Sequence, residues 1–217
     1  DRVDRNWLTL VRSDCRGDMT VNWDSAIPLL TVLSSLIAAG IIFCLPEVRV
    51  RARIAVNLTA ATLKLALIGV MLWGVFHEHH YEFRFPILSG LDFVLRADAL
   101  TMFFVPLSGL LWFLTTVYAS AYLEGSPHRS RFFGFFSLCV SATVGIALAG
   151  NLFTFVMFYE LLTLTTYPLV VHRETEMAQR AGRTYLIYTL AGGALLLAGA
   201  VWLYALVPTV DFEMGSA

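Results

Sequence analysis

Long runs of apolar residues fill six parts of the sequence, and polar residues are concentrated in the short segments between them. A transmembrane helix needs about 20 mostly apolar residues, and each run is close to or above that length. The apolar positions are continuous rather than alternating, which is not the pattern of strands in a membrane barrel. The pattern predicts an all-α integral membrane protein with six transmembrane helices, spanning about 25–45, 54–76, 99–123, 132–149, 152–171 and 184–207.

The fourth and fifth predicted helices form a tight hairpin. Residues 132–171 are too many for one span, and Glu160 is the only charged residue among them. Gly150 and Asn151 form a pair typical of turns, so the two helices are separated there.

Composition supports a membrane location and excludes several other classes of protein. Hydrophobic residues make up 58% of the chain and charged residues 14%, whereas soluble domains carry about 25% charged residues. The formal net charge of -1 provides no basic surface for nucleic acid. The three cysteines, Cys15, Cys44 and Cys139, lack metal-ligand spacing and predict no disulfide framework.

Arginines are distributed unequally between the two sets of connecting segments. One of the two sets, counted from residue 19, holds only Arg84 and Arg96, whereas the other set is rich in arginine. Because cytoplasmic loops are enriched in lysine and arginine, we expect the arginine-rich side to be the inner side and both termini to lie on the outer side. The segments after the first, third and fifth helices hold eight arginines: Arg49, Arg51, Arg53, Arg129, Arg131, Arg173, Arg180 and Arg183.

The sequence divides into three parts. Residues 1–24 are a polar N-terminal extension or leader, and the first 18 of them precede Met19. This part lacks the apolar core and small-residue cleavage site of a secretory signal, so the first span is a retained helix. Residues 25–207 form the six-helix transmembrane domain, and 208–217 form a short C-terminal tail.

Glu160 is the strongest candidate for a functional residue. It lies about 12 Å along the fifth helix from Leu152, which places it near the bilayer midplane. A charged group at that depth costs several kcal/mol and usually faces a protein interior or a hydrated path. Such a carboxyl group can hold or release a proton according to the charges around it. The alternative is a permanently protonated acid bonded to a neighbouring helix.

Two further residues are candidates for proton transfer. Lys64 lies about 15 Å from either end of its span, beyond the reach of a lysine side chain to the surface. It is expected to pair with an acid, to be neutral or to line a hydrated cavity, unless a tilted helix brings it nearer the surface. We also weigh it as a local partner of Glu160. His172, at the inner end of the fifth helix, is either a proton relay to bulk water or an interfacial residue.

Hydroxyl groups near Glu160 are expected to hold water. Thr163 and Tyr167 lie on its helix face at i+3 and i+7, and Tyr188 of the sixth helix is a further candidate. The small residues of the sixth helix, Gly192, Gly193, Ala194 and Ala198, predict a packing face. The segment FHEHHYEF, residues 76–83, resembles metal ligands in composition, but its spacing fits no firm zinc pattern, so it is predicted to be a solvated outer loop.

Three stretches carry a resemblance to a known family. AGNLFTFVMFYELLTLTTYPLVVHR and the following AGRTYLIYTLAGGALLLAG resemble the proton-translocating antiporter-like subunits of respiratory complex I, of hydrogenase complexes and of Mrp-type sodium/proton antiporters. The wording LTTYPLVVH is most similar to the branch that holds the D-type Mrp subunits and the hydrogenase-type proteins. RADALTMFFVPLSGLLWFLTTVYASAYL resembles the family's third helix, which opens with an aspartate, here Asp98. The resemblance covers roughly 25–207.

The resemblance implies a role for Glu160 and also a missing partner for it. Glu160 matches the fifth-helix glutamate that family members use in proton transfer, paired with a lysine on a broken seventh helix. Family members have about fourteen helices that include inverted repeats, so this sequence is expected to hold an incomplete antiporter-like bundle. It is a fragment of a longer reading frame, a split subunit completed by another chain, or a truncated paralogue kept for assembly.

The expected function is that of a membrane subunit in a multi-subunit cation/proton antiporter or NADH:quinone oxidoreductase-like complex in the cell inner (plasma) membrane. It contributes part of a proton path through Glu160, with other membrane subunits as partners, and with protons and sodium as candidate ions. The alternative is a non-transporting structural or assembly subunit. No cofactor is expected, because no span offers paired histidines for haem or clustered cysteines for iron and sulfur. Any NADH dehydrogenase (quinone) activity would belong to the whole complex, and a membrane enzyme acting on lipid or quinone is disfavoured.

Overall fold

The computed structural model describes residues 23–88, 91–207 and 212. All six helices are long and apolar enough to cross a membrane, which confirms the predicted multi-pass helical fold. Two strands, β1 (Tyr81–Leu88) and β2 (Leu91–Ala97), lie between the second and third helices. The helices are α1 (Trp23–Cys44), α2 (Val50–Phe76), α3 (Thr101–Tyr122), α4 (Arg129–Ala147), α5 (Leu152–Val170) and α6 (Glu176–Leu206).

The helix bounds follow the apolar runs closely except at the start of α6. Hydropathy placed this span at 184, whereas the helix begins at Glu176 with the polar segment EMAQRAGR. These residues are mostly good helix formers, and the side chain of Thr175 caps the helix by accepting from the Ala178 amide at 3.2 Å. The apolar run therefore marks only the part of α6 that fits a bilayer. The predicted extension before Trp23 and the predicted tail, apart from Phe212, lie outside the described residues.

The helices pack around α1 and α4. α1 contacts α2, α4 and the hairpin, α3 lies against α2 and α4, α5 packs on α4, and α6 packs on α5. One core cluster joins the halves of α2, α3 and α4 that lie next to the hairpin, including Ile68, Met71, Val105, Val144 and Leu148. Each of these five side chains is at most 2% exposed.

A β-hairpin occupies the position predicted to be a solvated outer loop. β1 and β2 run antiparallel, with Tyr81 opposite Ala97, and two backbone hydrogen bonds fasten the hairpin to the α4–α5 turn. In one of them the Gly150 amide donates to the Val94 carbonyl at 2.9 Å. Within the predicted loop 76–83, the prediction was wrong for residues 81–83, which belong to β1, because the segment YEFRF alternates aromatic and charged side chains with the period of a strand.

The predicted packing face of α6 is only partly used within this chain. Gly193 is buried against α5, whereas Gly192, Ala194 and Ala198 are exposed. The face around Ala194 and Ala198 forms an apolar groove that Trp202 also lines. The two glycines therefore have different environments, one against α5 and one on the outside of the described bundle.

Candidate functional site

Glu160 lies in the middle of α5, on the side that faces α6. Its side chain is half-buried. Among the described residues, one side chain lies within hydrogen-bonding distance of its carboxylate: the Thr163 hydroxyl, 3.5 Å from Oε2. That hydroxyl also donates to the Glu160 backbone carbonyl at 2.8 Å, which fixes its position one turn further along the helix. The predicted neighbour Thr163 therefore does adjoin the carboxylate.

The carboxylate is held against a glycine of α6. A Cβ atom built on Gly193 would overlap Glu160 Oε1, so a larger residue there would require the carboxylate or α6 to shift. A Cβ atom on the adjacent Gly192 would meet nothing within 4 Å. The close approach is thus specific to one of the two glycines, a distinction that the sequence alone did not provide.

No cation of the described residues forms an ion pair with Glu160. The ion pairs within this part of the chain lie at helix ends and in the hairpin, such as Arg131 with Glu174 and Arg96 with Glu82. The carboxylate therefore lies in the middle of a predicted span with a hydroxyl and a glycine as neighbours. This environment leaves one face of the carboxyl group available to a partner that this part of the chain does not supply.

Lys64 is not the partner of Glu160, and that hypothesis is wrong. The ammonium is fully buried, donates to Ser35 Oγ of α1 at 2.6 Å and lies 5.1 Å from the ring centroid of Trp112 in α3. Glu160 instead faces α6, on the other side of the α4–α5 pair. The packing order of the helices separates Lys64 from Glu160. Lys64 is on α2, which packs mainly with α1 and α3, whereas Glu160 is on the side of α5 that faces α6.

The remaining predicted neighbours divide into two groups. Tyr167 is half-buried and its ring packs next to Gly182 of α6, so it lies on the same α5–α6 seam as Glu160. Tyr188 is 75% exposed and points out of the described bundle, so its placement beside Glu160 was wrong. One turn earlier, Tyr185 does face the seam, where its hydroxyl bonds with the Thr166 hydroxyl. Helical spacing within α6 could not decide which tyrosine faces α5.

His172 lies just beyond the inner end of α5, about 18 Å along the helix axis from Glu160. Its ring packs edge-on to Phe132 with centroids 5.3 Å apart, and its backbone carbonyl accepts from Arg131 at 3.1 Å. Burial, followed by the positive charges of Arg131 and His128, lowers the pKa of His172 below its usual value of 6.5. At neutral pH the imidazole is therefore predominantly uncharged.

Two family models match the chain over more than half of its length in total. The model described as "NADH:quinone oxidoreductase/Mrp antiporter, TM" matches residues 149–216, which include Glu160 and Gly193. The model described as "NADH-Ubiquinone oxidoreductase (complex I), chain 5 N-terminus" matches residues 88–133. Over these two regions the chain is similar to the antiporter-like family of membrane subunits. The family resemblance predicted from the sequence is thereby confirmed.

Individual members of the antiporter-like family share the sequence at moderate identity. The chloroplastic NAD(P)H-quinone oxidoreductase subunit 5 of Chara vulgaris is 30% identical over 198 residues, covering 86% of this chain and 29% of the relative. A Na(+)/H(+) antiporter subunit of the D type from Bacillus subtilis is 26% identical, covering 54% of this chain and 24% of the relative. The chain therefore spans about a quarter to a third of the length of these relatives.

A solved structure shares the fold. A chain of the Mrp complex from Dietzia sp. DQ12-45-1b superposes with a TM-score of 0.74 at 21% identity, covering 89% of this chain and 36% of that chain. At that identity the likeness establishes the helical arrangement alone. The six-helix bundle with its hairpin is therefore an arrangement found in an antiporter-like protein.

Proposed function

We propose that the protein is a membrane subunit of a multi-subunit cation/proton antiporter or NADH:quinone oxidoreductase-like complex, and that Glu160 holds and releases a proton in its transmembrane path. The observation that carries the proposal is a carboxylate in the middle of a span with no cation partner in the described chain. Retaining such a group at this depth costs several kcal/mol, and such residues commonly line ion or proton pathways. The names of the relatives, which are antiporter and quinone oxidoreductase subunits, support the same function.

Hydroxyl groups on the α5–α6 seam suggest how a proton reaches Glu160. Thr163 adjoins the carboxylate, and the Thr166–Tyr185 pair follows about one turn closer to the inner end of α5. Hydroxyls both donate and accept hydrogen bonds, so they can order the water that carries protons along a helix interface. His172, uncharged at neutral pH, is proposed as the proton exchanger at the inner end of this seam.

A cation from beyond the described residues completes the site in this proposal. An approaching positive charge favours ionised Glu160, and its withdrawal favours the protonated form, so movement of the cation is coupled to proton uptake. Other membrane subunits are the proposed partners, and protons with sodium are the proposed ions. We further propose a location in the cell inner membrane with both predicted termini outside, on the basis of the arginine distribution.

The test is ion flux with Glu160→Gln in the assembled native complex. Everted membrane vesicles carrying a pH-sensitive dye report proton movement when sodium or potassium is added. Glutamine keeps the size of the side chain but cannot ionise, so we expect flux to fall by at least about tenfold. Glu124→Gln is the matched control, because Glu124 is an exposed carboxylate after α3, and its flux should match the unmodified protein.

The same experiment separates transport from a scaffolding role. If the Glu160→Gln complex assembles fully and its flux is unchanged, the proton-path proposal fails and the structural or assembly function is favoured. Assembly is measured by the mass of the intact complex.

A further inference from the structure

Lys64 is the single lysine of the sequence, although lysines and arginines together number 15. Every other cationic side chain of that set is an arginine, which keeps its proton under all conditions met in proteins. A lysine amine can lose its proton when it is buried, and this property makes lysines useful as proton carriers. Lys64, fully buried in the middle of a described span, therefore has the only type of side chain among these cations that can become neutral.

The surroundings of Lys64 contain no counter-charge. Its amine donates to Ser35 Oγ at 2.6 Å and lies over the Trp112 ring, and neither partner is ionised. Among the described residues of α1, α3 and α4, no charged side chain contacts it. The titratable thiol of Cys139, on α4, faces α5 instead and bonds to Thr165 at 3.4 Å. The nearest charged cluster on its own helix is Arg53 with Glu47, about 16 Å closer to the inner end.

Buried polar side chains fill the interval between Lys64 and that inner cluster. Asn57 lies two turns before Lys64 on the same face of α2 and accepts from the Ser137 hydroxyl of α4 at 3.0 Å. Thr116 of α3 lies one turn from Trp112, also toward the inner side. Arg53 then bonds to Ser130, at the start of α4. The four helices α1 to α4 thus enclose a line of polar side chains, which we call the polar file.

Two members of the polar file have polar atoms without a protein partner in the described chain. They are Asn57 Nδ2 and Thr116 Oγ1, both in side chains that are 0% exposed, and Trp112 Nε1 beside Lys64 is similarly unpaired. Leaving a buried donor or acceptor unpaired is unfavourable, so such atoms normally bind internal water. The geometry therefore favours water molecules between Asn57, Thr116 and the amine.

The outer side of Lys64 has the opposite character. The next buried residues of α2 are Ile68 and Met71, and they pack with Val105, Leu95 and Leu148 in the apolar core under the hairpin. None of these side chains can hold water, and each is at most 2% exposed. The buried Thr31 hydroxyl, one turn further along α1 from Ser35, donates to the Ile27 carbonyl at 2.8 Å. The buried side-chain atoms without a partner near Lys64 in the described chain are those of Asn57, Thr116 and Trp112, so the polar file is the approach that the structure favours.

We propose that α1 to α4 form a water-filled polar file that opens to the arginine-bearing side and ends at Lys64, and that the Lys64 amine takes up and releases a proton through it. This site is separate from Glu160, because Glu160 faces α6 from the far side of α5 and the two groups share no described contact. The amine exchanges one proton with water and no other reactant is needed. The inference goes beyond the proposed function and does not depend on it.

The test observes the amine directly in the native protein. The protein, with any subunits that accompany it, is labelled with ¹⁵N-lysine, placed in lipid bilayers and studied by NMR. The difference from a Lys64→Met sample identifies the Lys64 Nζ signal. We expect this signal to move between the ammonium and amine positions over a pH range of about 5 to 10. A signal fixed in one position throughout that range would overturn the proposal.

A second measurement tests the water in the polar file. In Thr116→Val, which removes one hydroxyl at nearly constant size, exchange of the Nζ hydrogens with D₂O should slow by about tenfold or more. Thr115→Val is the matched control, since Thr115 lines a groove between α3 and α4 that Trp112 also borders but that Lys64, Asn57 and Thr116 do not line. Its exchange rate should equal that of the unmodified protein. Equal rates in the two variants would also overturn the proposal. Because the titration is followed in the unmodified protein, a misfolded Thr116→Val sample would not affect it.

Discussion

Gly193→Ala is the substitution that most directly tests how Glu160 is positioned. The new methyl group would overlap Glu160 Oε1, whereas the same change at Gly192 meets nothing within 4 Å in the described chain. Both substitutions replace a helical glycine by alanine, so their effects on helix propensity are alike, at about 1 kcal/mol in favour of alanine. Any difference between the two variants therefore reports the contact with Glu160.

The size of the effect follows from how the overlap is relieved. If the carboxylate rotates away, the displaced side chain costs about 0.5–1.5 kcal/mol. If α6 moves away from α5 instead, overpacking costs about 1–3 kcal/mol. A change of one to two kcal/mol corresponds to about a 5- to 30-fold change in an equilibrium. We therefore expect proton-coupled flux to fall by about that factor in Gly193→Ala.

The assay is the vesicle flux measurement at matched levels of assembled complex. Gly192→Ala should stay within about twofold of the unmodified protein, because a surface substitution typically changes stability by less than about 0.5 kcal/mol. The double variant Gly193→Ala with Glu160→Asp provides a further check, since the shorter acid withdraws from the new methyl group. Its loss of flux should be smaller than the two single losses combined. Equal flux in Gly193→Ala and Gly192→Ala would refute the reasoning.

Three other predictions concern stability and titration. Asn151→Ala removes the α5 cap and a donor to the Asp92 carbonyl at 2.7 Å, so it should lower the unfolding free energy by about 2 kcal/mol. Thr175→Ala removes only the exposed cap of α6 and should lower it by about 1 kcal/mol. Both values are measured by reversible unfolding in detergent. Burial opposes ionisation of Glu47, but the Ser130 amide and Arg53 outweigh burial and lower the pKa of Glu47 below 4.5. The ionised carboxylate therefore stabilises the fold above pH 4.5, and this stabilisation is lost as pH falls through the lowered pKa. Thermal melts of Glu47→Gln should match those of the unmodified protein only in acid. Arg131→Gln should raise the pKa of His172 toward 6.5 in an NMR titration, and an unchanged pKa would show that the Arg131 charge does not contribute to lowering it.

The sequence predicted the spans well because continuous apolar length is a direct consequence of bilayer thickness. Depth along a helix was also predictable, so Glu160 and Lys64 both stood out from the lengths of the apolar runs alone. The direction in which a side chain points was harder to predict. α6 is apolar on nearly every face, so its pattern gave no sign that Gly193 and Tyr185 face α5 while Tyr188 faces outward. Only the packing of α6 on α5 distinguishes these residues.

The two buried charges differ in a way that sequence spacing could not reveal. Both lie near the middle of their spans, and pairing them was the simplest way to reduce the cost of burying each. The helix order prevents it, so each charge is accommodated locally by a different device. Lys64 has a hydroxyl and an aromatic face, together with the proposed polar file. Glu160 has a hydroxyl and a glycine contact on the α5–α6 seam. Because the two environments share no described side chain, changes at one site should leave the other site unaffected.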